Sequence, residues 1–101
     1  MRDYIYIDDL INCVSKLLRS DVNNEILNVG SGIGHSVNDI VKVVRNVSHH
    51  QVKVHYDIRR SFDVSVSLLN STKLLRYIDV NFTSIEEGVM KFYRYLTKYG
   101  L

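Results

Sequence analysis

An α/β fold is predicted for this chain by three observations. Short runs of aromatic and β-branched residues alternate with stretches of helical periodicity, glycine-rich breaks separate them, and Ser/Thr-x-x-acid pairs stand where helices would begin. The 101 residues are 46% hydrophobic and 24% charged, which suits one globular unit over residues 1–101 with a modest core, and not two domains.

Tyr4-Ile5-Tyr6-Ile7 reads as a short strand. Asp8 and Asp9 then offer an N-cap for a helix in which Leu10, Cys13, Val14, Leu17 and Leu18 recur at helical spacing, with Lys16 and Arg19 at its cation-favouring end. Ile26-Leu27-Asn28-Val29 is a second strand, closed by Gly30-Ser31-Gly32-Ile33-Gly34. Ser36 and Asp39 form a capping pair for a helix that turns Val37, Ile40, Val41, Val44 and Val47 inward. Val52-Lys53-Val54-His55-Tyr56 alternates like a half-buried strand.

Asn70 or Ser71 begins a short helix through Leu74, Leu75 and Ile78. Thr83-Ser84-Ile85-Glu86-Glu87 holds two overlapping capping boxes for the last helix, whose apolar stripe is Ile85, Val89, Phe92 and Leu96 and which stops at Gly100. The expectation is therefore short strands with about four helices and no complete Rossmann domain.

Charge and cysteine content exclude several functions. Thirteen basic and eleven acidic side chains give +2 and are interleaved, whereas a nucleic-acid surface needs a basic stripe. No apolar run is long enough to span a membrane, and the first residues lack a secretory pattern. The single Cys13 can form no internal disulfide, so a reducing, cytoplasmic location is expected. His49 and His50 are adjacent and diverge on any regular element, and His35 and His55 have no Cys or acidic partner at ligand spacing, so no metal site is expected.

Residues 26–57 imitate the first βαβ unit of a dinucleotide-binding fold, with Asp57 ending the second strand. The fingerprint fails at its third glycine, because counting from Gly30 the position is His35, whose side chain would block close helix-to-strand packing. A structural turn is the better reading of these glycines.

Four segments, taken together and in order, resemble the C-terminal part of the nucleotide-sugar epimerases and dehydratases, the extended branch of the short-chain dehydrogenase/reductase superfamily. They are Arg2-Asp3-Tyr4-Ile5-Tyr6-Ile7-Asp8-Asp9, Asn28-Val29-Gly30-Ser31-Gly32 with Ser36, Arg60-Ser61-Phe62-Asp63, and Thr83-Ser84-Ile85-Glu86-Glu87-Gly88-Val89. The resemblance covers essentially the whole chain, and it implies a substrate-binding portion. Arg2 and Arg60 match arginines that reach the diphosphate of a nucleotide-sugar, a task suited to a planar, permanently charged fork. Asp63 matches the carboxylate on the nucleoside side, and Tyr4 follows the matched arginine as a further contact. Phe62 stands where the family usually has glycine, and the chain has no proline.

In the family the glycine-rich NAD loop and the catalytic Tyr-x-x-x-Lys pair precede the Arg-Asp-Tyr segment. None of the seven tyrosines here is followed by lysine at the fourth place; Tyr4 meets Asp8 and Tyr56 meets Arg60. The oxidation step needs that tyrosine base, its pKa lowered by the lysine. The resemblance thus implies a UDP-sugar-binding part of an NAD-dependent epimerase or dehydratase for polysaccharide precursors, inactive alone, with no cofactor held by this chain and NAD held in the full-length relative. Implied partners are a weakly bound nucleotide-sugar, a separate cofactor-domain chain, or a second copy meeting the open edge at 26–29. The alternative is a noncatalytic interaction module that keeps the fold.

Overall fold

In a computed structural model of the chain, residues 1–57 and 66–100 are described. Three α-helices organise them: α1 (Ile7–Leu18), α2 (Val37–Ser48) and α3 (Ile85–Lys98), with a single 3-10 turn at Leu74–Arg76. The short helix predicted to begin at Asn70 or Ser71 is therefore reduced to that turn, placed by Ser71, whose carbonyl accepts from the Leu75 amide.

No strand is present among the described residues, which corrects the expectation for 4–7, 26–29 and 52–56. What remains is two isolated bridges, Arg2 antiparallel to His35 and Arg2 parallel to Ser67. The side-chain alternation is nonetheless that of strands. Leu27 and Val29 are half-buried while Ile26 and Asn28 are exposed, and Val52 and Val54 alternate likewise with Gln51, Lys53 and His55. An extended segment becomes a strand only when a neighbour pairs with its backbone, and residues 26–29 make no backbone-to-backbone hydrogen bond among the described residues.

Helix starts follow the sequence in two cases of three. At α2 the Ser36 hydroxyl accepts from the Asp39 amide at 3.1 Å while the Asp39 carboxylate accepts from the Ser36 amide at 3.0 Å, a complete capping box. At α3 the Ser84 hydroxyl accepts from the Glu87 amide, and the chain leaves the helix through Gly100 at φ +69°. At α1 the prediction fails. The cap position is Tyr6, with no side-chain cap, and Asp8 and Asp9 lie inside the first turn. Asp9 reaches across the fold instead, accepting from the Thr83 amide at 2.7 Å and the Thr83 hydroxyl at 2.9 Å, and so ties α1 to the start of α3.

The core is small. Cys13, Leu74 and Ile78 are buried together, with Leu17, Leu27, Val29, Val80 and Phe82 packed around them, and Val43 is buried where α2 meets α3. Four residues expected inward face out: Val14 is 48% exposed, Leu18 82%, Val37 66% and Phe92 55%. The molecule is a slab, 48 × 38 × 18 Å, with a radius of gyration of 16.2 Å. A compact domain of this length has a radius near 13 Å, and an α-helix with side chains is already about 10–12 Å across. The larger radius reflects this elongated, flat shape and the small core.

Candidate functional site

Three sequence segments converge at one polar junction. The Arg2 amide donates to the His35 carbonyl and the His35 amide to the Arg2 carbonyl, both at 2.9 Å. On the other side the Ser67 amide donates to the Met1 carbonyl at 2.9 Å and the Asp3 amide to the Ser67 carbonyl at 3.2 Å. The segment opening the chain is thus clamped between the glycine turn and the residues that follow the Arg/Asp loop.

Asp3 is the organiser of this junction. Its carboxylate accepts from the Ser31 hydroxyl at 2.6 Å, the Ser31 amide at 3.1 Å and the Gly32 amide at 2.7 Å. Burial opposes its ionisation, but the hydrogen bonds from Ser31 and Gly32 outweigh it and hold the carboxyl below its ordinary value of 3.8. Ser71 closes the junction from below, its hydroxyl donating to the Gly30 carbonyl at 2.6 Å and accepting from the Gly30 amide at 2.9 Å. Gly30 is buried, and a Cβ there would lie 2.8 Å from both the Asp3 carboxylate and Leu69, while Gly32 has φ +76°. Both glycines are therefore required by geometry.

The turn amides that could have cradled a pyrophosphate are occupied by this carboxylate, so Gly30–Gly34 acts as a structural turn. Sequence reasoning placed function on Arg2 and Tyr4 and passed over Asp3 between them. The available signal was a lone carboxylate in an Arg-Asp-Tyr segment and a Gly-Ser-Gly turn with spare amides.

Arg2 is half-buried at the crossing of the three segments, and its guanidinium makes no hydrogen bond or ion pair among the described residues. Tyr4, 38% exposed, lines a separate apolar hollow of about 320 Å³ with Tyr6, Ile40, Val89 and Phe92. The structure therefore leaves Arg2 and Tyr4 on one short segment without bringing their side chains into contact. Arg60 and Asp63 lie outside the described residues. Ser67, four residues beyond Asp63, is bonded to the segment carrying Arg2, so the loop's end is tethered there.

Cys13 is fully buried, and burial first, then the nearby Asp9 carboxylate, push its thiol up, away from the thiolate a nucleophile needs. Among the described residues no group of three or more His, Cys, Asp or Glu side chains is placed to hold a metal, and no helix is long and apolar enough to cross a membrane.

No family model matches the chain. It is 28% identical over 98 residues to GDP-6-deoxy-D-talose 4-dehydrogenase of Aggregatibacter actinomycetemcomitans, which covers 93% of this chain and 33% of that protein. It is 34% identical over 76 residues to UDP-glucose 4-epimerase of Halalkalibacterium halodurans, covering 72% of this chain and 23% of the relative. Among solved structures it matches UDP-glucose 4-epimerase of Thermotoga maritima with UDP-glucose, with a TM-score of 0.87 and 28% identity over 98% of this chain and 32% of that one. The chain thus spans between about a quarter and a third of the relatives it matches. Along nearly its whole length the chain is similar to the C-terminal part of nucleotide-sugar epimerases and dehydratases.

Proposed function

We propose that this chain is the nucleotide-sugar-binding side of an NAD-dependent epimerase or dehydratase acting on a UDP-sugar, and that it performs no oxidation by itself. The observation that supports this most is the superposition of nearly the whole chain on an epimerase solved with UDP-glucose. In this reading Arg2 and Arg60 bind the diphosphate, Asp63 accepts hydrogen bonds from the ribose hydroxyls, and Tyr4 supplies a flanking contact. The Arg2 guanidinium, without a partner among the described residues, is available for an anion. Asp3 fixes the backbone that carries it.

The described residues do not fit NAD. The glycine turn that most resembles a dinucleotide loop has its Ser31 and Gly32 amides bonded to Asp3, and no Tyr-x-x-x-Lys pair exists to act as base. No catalytic step is assigned to this chain.

NMR titration with UDP-glucose tests the reading. Shifts are expected at Arg2, Tyr4, Arg60 and Asp63, and Arg60→Ala should weaken binding by about 1.5–3 kcal/mol, the range for hydrogen bonds to charged groups. Arg59→Ala should change it little. Equal losses in the two variants, or no shifts at millimolar ligand, would contradict a built site.

A further inference from the structure

Between Asp39 and Asp57 the sequence holds Lys42, Arg45, His49, His50, Lys53 and His55 and no acidic residue, although charges of both signs are interleaved along the chain as a whole. The fold gathers four of these basic side chains. After α2 the chain turns through His49 and His50 and runs back beside the helix, where the Arg45 guanidinium donates to the Val52 carbonyl at 2.9 Å and the Tyr56 hydroxyl to Asn38 at 3.0 Å. Arg45, His49, His50 and Lys53 thereby line an open hollow of about 510 Å³, together with Gln51 and Val52. No carboxylate lines it. Elsewhere on α2, Asn46 and Val47 share a separate hollow with Glu86 and Glu87 of α3, and Asp39 is engaged at the start of the helix by its capping box with Ser36.

Hydrogen bonds hold the turn in place. The Ser48 hydroxyl donates to the Val44 carbonyl at 2.8 Å and accepts from the His50 amide at 3.3 Å, while the His49 amide donates to the Arg45 carbonyl at 3.0 Å. The bond to Val52 fixes the Arg45 fork at the wall of the hollow and uses one of its five N–H groups. His49 stands in the left-handed region at φ 59°. Glycine fills this helix-ending position without strain, so the chain carries an imidazole there at some expense of stability.

A cationic hollow with no carboxylate favours an anion. A guanidinium fork beside an ammonium suits a tetrahedral oxyanion, and 510 Å³ is of the size that holds a small molecule and not a bare ion alone. Imidazole ordinarily gains its charge between about pH 8 and pH 5. We infer that this hollow is a binding site for a small phosphate monoester, in which Arg45 and Lys53 supply constant charge and His49 and His50 add theirs as the pH falls. It shares no residue with the proposed nucleotide-sugar site at Arg2, Tyr4, Arg60 and Asp63, so a failure at either would leave the other standing.

NMR titration of the isolated chain tests the site. Sulfate, which stays a dianion throughout, serves for the pH series, and glycerol 3-phosphate and inorganic phosphate at pH 7.5 separate an ester from the free ion. Shifts are expected at Arg45, His49, His50 and Lys53, with sulfate bound about three- to fivefold more tightly at pH 5.5 than at pH 7.5. Glycerol 3-phosphate should bind more tightly than inorganic phosphate; the reverse order would overturn the ester. Arg45→Gln should weaken sulfate binding at both pH values, and His50→Gln chiefly at pH 5.5. His49→Gly should raise the melting temperature by about 3–5 °C yet weaken binding at pH 5.5, because it removes strain and an imidazole together. Arg94→Gln on α3 is the control and should change neither. Shifts spread evenly over the exposed lysines and arginines, no tightening towards pH 5.5, or equal losses in Arg94→Gln and Arg45→Gln would overturn the site.

Discussion

The junction around Asp3 and the outer row of α1 are built from the same short chain and are opposites. At the junction the Asp3 carboxylate and the backbone groups around it find partners within the chain. Asp3 bonds Ser31 and Gly32, Ser71 takes both polar groups of Gly30, and Arg2 pairs its backbone with His35. On α1 four large apolar side chains, Ile7, Ile11, Val14 and Leu18, are between 48% and 82% exposed. The lesson is that segments distant in sequence can lock into a self-sufficient polar joint even where hydrophobic burial is unfinished. Hydrogen bonds are satisfied pair by pair, whereas an apolar face needs a whole second layer.

Removing the organiser should break the comparison most severely. Asp3→Ala leaves the Ser31 and Gly32 amides without their acceptor and should cost about 2–4 kcal/mol, read as a fall in the urea midpoint. Asp9→Ala comes next, at about 1–2 kcal/mol, because only the Thr83 amide and hydroxyl lose their partner.

Acid should act more gently on the junction, since a neutral carboxyl still accepts hydrogen bonds. The folded Asp3 carboxyl lies below its ordinary 3.8, so its contribution is fully present above that pH and is lost as pH falls through the lowered folded value. Glu25 is also lowered, by its hydrogen bond and charge pairing with Lys73, and adds to the acid loss from its ordinary 4.5 downward. Asp3→Asn should therefore flatten, without abolishing, the decline below pH 4 in a denaturation series. The smallest effect belongs to the outer face. Leu18→Gln should change monomer stability by less than about 0.5 kcal/mol, yet reduce self-association of the isolated chain in sedimentation, because the exposed row is what two copies would share.

Local signals explain which parts of this molecule were legible from sequence. The capping box at Ser36 and the Ser84 cap are decided by neighbours three residues apart, and both appear as read. The Asp8-Asp9 cap misled because Asp9 has a better partner in Thr83, a choice made 74 residues away. The segments at 26–29 and 52–56 show the side-chain alternation of strands and 4–7 does not, and pairing depends on a neighbour that the described residues do not provide. Periodicity likewise put Val14 and Leu18 in the core, since it reports that a face is apolar and not what covers it. Of the proposed site, Arg2 and Tyr4 were named through the family resemblance, while the part Asp3 plays is visible only in the folded proximity of two segments 28 residues apart. Arg60 and Asp63 lie outside the described residues.

Amide hydrogen exchange on the isolated chain compares the two regions directly. Slow exchange is expected at Ser31 and Gly32, whose amides are held by Asp3, and at Gly30, held by Ser71, with fast exchange at Leu27, Asn28 and Val29. Protection at 27–29 equal to that at the junction, under conditions where the chain is monomeric, would contradict it, because the extended segment would then have found a backbone partner within the chain.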